Sequence, residues 1–153
     1  MLDYHNRNME IPVAKEMLIN MLKWRRKFST DTILDEEFDS NIYNDSIGLL
    51  YKTDHQGRPV TYNFYGGLDQ NKVFGNVEKF IRWRVQLMEK GVKQIDFINT
   101  DAMVQVHDYN GASIWGRTAN TKEATNLLIK LMQDNYPEFL SSKLFVNVPK
   151  WGR

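Results

Sequence analysis

Apolar residues recur along this chain with two periods, and the switches between them mark its elements. Over 12–28, Val13, Met17, Met21, Trp24 and Phe28 fall on one side of a helix, with Lys15, Glu16, Lys23, Arg26 and Lys27 largely opposite. Pro12 suits the first turn of that helix. Ser29-Thr30-Asp31-Thr32 ends it, and an acidic, loosely ordered connector is expected over 35–45. The period then drops to two. Strands are predicted at 47–53 and 59–65 around the turn Asp54-His55-Gln56-Gly57-Arg58, which together make a hairpin closed by Gly66-Gly67. A helix follows over 71–90 with Gly91 at its C-terminal end. A strand beginning over 95–99 and interrupted by polar residues leads to Met103. Another helix runs from Thr121 through Leu127, Leu128 and Leu131 to Tyr136-Pro137, and an apolar strand at 143–148 is stopped by Pro149. Helices and strands alternate in the later part, which predicts an α/β domain with some parallel pairing. A strand as apolar as Leu144-Phe145-Val146-Asn147-Val148 should lie inside a sheet covered on both faces.

Met103-Val104-Gln105-Val106-His107-Asp108-Tyr109 is the most informative strand, and Asn110-Gly111 stops it. Side chains two apart share a face. Val104, Val106 and Asp108 therefore point one way, a mostly apolar face suited to packing under helices. Gln105, His107 and Tyr109 point the other way, as a surface or the lining of a pocket. On the 71–90 helix, Val77, Phe80, Ile81, Leu87 and Met88 form an apolar stripe, and Arg84 projects through its middle. Glu78, Arg82, Gln86 and Glu89 fall on its wet side. An arginine placed like Arg84 snorkels out, pairs with a carboxylate, or meets an anionic ligand; on periodicity alone the first two are the ordinary outcomes.

Composition narrows the classes. The 153 residues suffice for one domain with a real core, and a 42% hydrophobic and 25% charged chain is ordinary for a soluble globular protein. A formal net charge of +1 gives no basic excess pointing to nucleic acid. The absence of cysteine removes disulfides, thiolate metal sites and cysteine nucleophiles, and fits a cytosolic protein. No Gly-rich phosphate loop, zinc spacing or nucleophile elbow is present, and His107-Asp108 is a lone pair whose members face opposite ways. Trp24, Trp83 and Trp115 read most simply as core or pocket lining.

Taken singly, His107 reads as a hydrogen-bonded structural histidine, Tyr109 as packing, and Lys143 as a solvated strand end. Taken together they are more pointed. Imidazole and phenol share a strand face, and Arg84 and Lys143 are cations that could reach the same cavity. Phenolate is a hard oxygen ligand suited to ferric iron, tyrosine is a haem ligand type, and two cations suit two propionates.

Several stretches carry a resemblance to a known family. Ala14-Lys15-Glu16-Met17-Leu18 and Met21-Leu22-Lys23-Trp24-Arg25-Arg26-Lys27-Phe28 resemble the end of the helical N-terminal module of Sec14-like, or CRAL-TRIO, lipid-transfer proteins. Gly57-Arg58-Pro59-Val60, Tyr65-Gly66, Tyr136-Pro137-Glu138 and Phe145-Val146-Asn147-Val148-Pro149 recur in matching places and order. The resemblance implies an α/β fold, a mixed sheet flanked by helices, incomplete at its C-terminus. It assigns 1–30 to the helical module and 31–153 to a truncated lobe with an apolar cavity for one lipid-like molecule. The stretches Phe80 to Gly91, Gln105 to Tyr109 and Lys143 with its strand are similar to the haem-binding fungal Sec14 homologue subfamily. That resemblance implies a non-enzymatic binder of ferric haem b with Tyr109 as the iron ligand and His107, Arg84 and Lys143 as further haem contacts. The alternative it implies is a phosphatidylinositol or other lipid-binding and transfer module. Either would be cytoplasmic, in transient contact with membrane surfaces such as the endoplasmic reticulum. Three departures stand out. Arg7 falls near a position where the subfamily has a tyrosine. Phe139 replaces the arginine that phosphatidylinositol-transferring members usually carry after Glu138. The family also continues well past Val148, so the resemblance is to a fragment whose cavity is open.

Overall fold

A computed structural model describes residues 11–113 and 115–150. Its centre is a four-stranded mixed sheet in the order β1 (Gly48–Thr53), β2 (Pro59–Phe64), β3 (Met103–Asp108), β4 (Ser141–Val146). The predicted hairpin forms: β1 and β2 are antiparallel around a turn in which the Asp54 carboxylate accepts from the Gln56 and Arg58 backbone N–H groups and from Arg58 Nε. β2, β3 and β4 are parallel and in register, Asn63 beside His107 and His107 beside Phe145.

Helix α1 (Ile11–Phe28) ends where the sequence stops it. The expected single helix over 71–90 is two, α2 (Gln70–Phe74) and α3 (Val77–Lys93). Asp69 and Asn76 each accept the backbone N–H three residues on, at 3.1 and 3.0 Å, so the chain restarts a capped helix after Gly75. α3 runs through Gly91 instead of ending there, because Gly91 is a contact point. A Cβ on it would press on Met103 and approach Thr61 Cγ2 at 3.4 Å, so its absence lets the helix lie close on the sheet. Helix α4 (Ala119–Asn135) starts at the Thr118 cap, whose hydroxyl accepts from Thr121 N–H at 3.1 Å, and ends at Tyr136-Pro137 as expected.

The face of β3 read as a surface or pocket lining does line a cavity, but it is also the face the helices cover, where the valine face was expected to lie under them. Gly91 and Met103 meet on the face that carries Gln105 and His107, so α3 covers the imidazole side and not the valine side. The main core lies there, with Ile33, Phe74, Phe80, Trp83, Val85, Leu87 and Ala124 buried between helices and sheet. The connector expected to be loose is packed: Tyr43 is buried, and Glu36 holds Arg82 through contacts of 2.6–2.8 Å. No strand forms over 95–99. The Asp96 carboxylate accepts from the N–H groups of Ile98, Asn99 and Thr100 and closes a turn. β4 starts and ends earlier than expected and lies at the sheet edge, with Leu144 and Phe145 more than half exposed at 53% and 56% instead of covered on both faces. Trp24 and Trp83 pack in the core as expected, whereas Trp115 is 84% exposed. Arg7 lies outside the described residues. No described helix is long and apolar enough to cross a membrane.

Candidate functional site

Parallel pairing continues one residue beyond the strands. Tyr65 N–H donates to Asp108 O at 2.9 Å, and Tyr109 N–H donates to Val146 O at 3.0 Å. Gly66 makes this possible, since any side chain there would strike the Asn110 carbonyl. Tyr65 and Tyr109 thus leave the sheet side by side, and their rings stack at 4.8 Å between centroids. His107 extends the stack, 5.8 Å from Tyr65 and 5.1 Å from Phe145. Tyr65 Oη lies 2.7 Å from His107 Nδ1.

This ring cluster forms one wall of a cavity of about 440 Å³. The opposite wall is α4, through Leu128, Ile129 and Met132, with Phe80 of α3 between them. Arg84, Arg117 and Lys143 also line it, and among the described residues no carboxylate does. The cavity therefore pairs apolar surface with positive charge, the chemistry of an amphipathic anion.

Arg84 is the decisive side chain. It is 6% exposed, so it does not snorkel, and no carboxylate pairs with it among the described residues. Burial pulls its guanidinium below the ordinary value, opposed only by the Tyr65 phenol. A guanidinium nevertheless stays charged in a protein. Of the three outcomes open from the sequence, the first two do not occur among the described residues. The same burial, together with the Arg84 and Lys143 charges, lowers the His107 imidazole to about 3, so it is neutral at physiological pH. Burial raises the Tyr65 phenol, and neighbouring Tyr109 raises it further while Arg84 opposes the shift; burial also raises Tyr109. Neither phenol ionises unaided at neutral pH.

The structure thus brings together all four residues singled out in the sequence: Tyr109, His107 and Arg84, with Lys143 at the cavity edge on β4, in register with Gln105. Sequence reasoning missed Tyr65 as a site residue, although its place in an alternating strand that ends in Gly66 was visible. What it lacked was the register that sets Phe64 beside Asp108, and hence Tyr65 beside Tyr109. Arg117 was missed too, because it sits in a loop with no period to read.

Comparison with known proteins fits this geometry. Residues 43–153 match the CRAL/TRIO domain. The chain is 40% identical over 145 residues to phosphatidylinositol transfer protein SFH5 of Kluyveromyces lactis, covering 92% of this chain and 49% of that protein. It is 35% identical over 147 residues to Patellin-5 of Arabidopsis thaliana, covering 90% of this chain and 22% of that protein. A crystal structure of Sfh5 superposes with a TM-score of 0.81 at 36% identity, over 93% of this chain and 53% of that one. The chain spans about half the length of the SFH5 relatives it matches.

Proposed function

The chain belongs to the CRAL/TRIO domain family, and from that premise we propose that it binds one amphipathic anion without chemical turnover. The apolar body of the ligand lies along α4, and its acidic group meets Arg84. The observation that carries this reading is a buried guanidinium beside a cavity with no carboxylate partner. Leaving such a charge unpaired costs several kcal/mol, roughly, which an anionic ligand offsets when it binds. A phospholipid is the first candidate, since the fungal relatives are named phosphatidylinositol transfer proteins. Delivery of such a cargo brings the protein into transient contact with membrane surfaces. Organic extraction of the purified protein followed by mass spectrometry should yield an acidic lipid in near-stoichiometric amount from the wild type and little from Arg84→Met. Recovery of neutral lipid alone, equal in both, would overturn the reading.

Ferric haem b is the second reading, favoured by the phenol–imidazole cluster. The residues fit the group: Tyr109 borders the cavity, and Arg84 and Lys143 are cations suited to two propionates. A free tyrosine has a pKa of about 10, so its phenolate needs a cation to stabilise it at neutral pH. Bound ferric iron would supply that as a Lewis acid. Arg84 would add a nearby positive charge, and His107 a hydrogen bond. An absorption spectrum of the purified protein separates the two readings. If haem is the cargo, Tyr109→Phe should lose most of the bound haem and the phenolate-to-iron charge-transfer band. A Tyr109→Phe protein with full haem content and an unchanged spectrum would remove Tyr109 as the ligand.

A further inference from the structure

Tyr65 was not among the residues that first suggested a ligand site, yet its hydroxyl is the partner of the site's histidine, 2.7 Å from His107 Nδ1. A neutral imidazole carries one proton, and the hydrogen bond made by one nitrogen decides which nitrogen holds it. Here the surroundings set the direction of that bond. The Arg84 charge acts on the Tyr65 phenol, and a cation near that oxygen attracts its lone pairs and turns the O–H dipole away. No other acceptor for the Tyr65 hydroxyl occurs among the described residues. If Nδ1 carried the proton instead, the Tyr65 O–H would be left without an acceptor in a half-buried place.

We propose that Tyr65 is a ligand-positioning residue. Its hydroxyl donates to His107 Nδ1 and holds the ring as the Nε2–H tautomer, so that the cavity offers an N–H donor near the Arg84 guanidinium. This rests on the anion-binding reading above and adds to it a second, neutral donor for the same group. The ligand class is a carboxylate or phosphate ester on an apolar body, whose oxygens accept from both side chains. A protonated Nε2 has no lone pair for a metal ion, and Nδ1 is occupied by Tyr65. The imidazole therefore serves as a donor to the ligand and not as an iron ligand.

Long-range proton–nitrogen correlation spectra of the ¹⁵N-histidine-labelled chain read the tautomer directly, with His107 assigned by its loss in His107→Gln. In the wild type at neutral pH, Nδ1 should show the shift of an unprotonated nitrogen and Nε2 that of a protonated one. Tyr65→Phe keeps the stacked ring and removes the hydroxyl, and should move both towards a tautomer mixture. Binding is then read with a pyrene-labelled fatty acid, a pyrene-labelled phosphatidic acid and a pyrene-labelled fatty alcohol. Tyr65→Phe should weaken one or both acids roughly tenfold and leave the alcohol unchanged. Whichever acid responds identifies the headgroup source. Protonation of His107 on Nδ1 in the wild type would overturn the proposal with no variant needed, and so would unchanged acid binding in Tyr65→Phe. Equal wild-type affinity for acids and alcohol would instead overturn the anion reading, and the ligand role with it, even with the tautomer as assigned.

Discussion

Helix α3 buries two charges of opposite sign, Arg84 at 6% exposure and Glu89 at 7%, and provides for them differently. Glu89 is fully engaged. Arg25 of α1 donates to its two oxygens at 2.8 and 3.3 Å, and Tyr136, just after α4, donates to Oε1 at 2.6 Å. Burial, reinforced by the Glu89 charge, raises the Tyr136 phenol far above its ordinary value, which keeps it a hydrogen-bond donor. One carboxylate thus ties three helical segments together. Arg84, on the cavity side, has no such partner among the described residues. A fold that satisfies one buried charge so completely leaves the other open, and under the anion-binding proposal that open valence is the ligand's place, kept at a cost in stability.

Replacing each charge should therefore have opposite effects on the folded chain. Glu89→Ala leaves Arg25 and Tyr136 without their acceptor and should cost roughly 3 kcal/mol in chemical denaturation. A loss below about 1 kcal/mol, the range of exposed ion pairs, would mean that the triad is no stronger than a surface contact and would dissolve the contrast. Arg84→Met keeps the length and apolar volume and removes the unpaired charge. It should stabilise the ligand-free chain by about 1–2 kcal/mol while removing a charge-assisted contact to the ligand of roughly 1.5–3 kcal/mol. A ligand-free Arg84→Met chain that unfolds more easily than the wild type would show that Arg84 has a structural partner after all.

The charge at Arg84 also leaves a signature in pH. Burial first, and then Arg84 and Lys143, hold His107 at about 3, against roughly 6.5 in an unfolded chain. As pH falls below about 6.5, the unfolded chain takes up a proton that the folded chain refuses. The stability contributed by the neutral ring is thus fully present above that value and is lost progressively towards pH 3. At about pH 4.5 the loss should approach, and not exceed, roughly 2–3 kcal/mol. His107→Gln should flatten this part of the profile. The carboxylates that also titrate there are common to both proteins, so the difference curve isolates the histidine. Parallel profiles would show that the ring is solvated enough to protonate in place.

Helices, hairpin and strand alternation were legible because each rests on a local period or a turn residue. Arg84 was legible as an intruder in an apolar stripe. What could not be read was which side of an element meets what. The valine face of β3 looked like the covered one, yet the helices lie over Gln105 and His107, because a polar face can be buried wherever its groups find partners or line a cavity. β4 looked central by composition and is an edge, since periodicity describes a strand's own faces and not its neighbours. Tyr65 escaped notice because its importance depends on the parallel register with β3. Gln86 and Glu89 were read as wet for a related reason: a helix wheel knows one apolar stripe, and α3 is packed on more than one side, by the sheet, by α4 and by the 33–38 segment.

Gln86 gives the smallest test of that lesson and sharpens the comparison on α3. It is 5% exposed, and its Nε2 donates to the backbone carbonyls of Ile33 and Glu36, each at 2.8 Å. One amide thereby supplies the Glu36 carbonyl and adds a second donor to the Ile33 carbonyl, which also accepts the Glu36 N–H at 3.1 Å, and holds the connector against α3. Glu36 is fixed in the same place from its other end by Arg82. Gln86→Leu keeps similar volume and loses both side-chain bonds, leaving the Ile33 carbonyl with the Glu36 N–H alone and the Glu36 carbonyl without the amide. Part of that loss is recovered by water reaching the Glu36 carbonyl and by added apolar burial beside Trp83 and Leu87. The net cost should be about 1 kcal/mol, well below that of Glu89→Ala, with faster amide exchange over 33–38 and no change in anion binding. A loss as large as that of Glu89→Ala would show that connector and helix unfold as one unit through this amide. A change in anion binding would show that the connector reaches the cavity through α3.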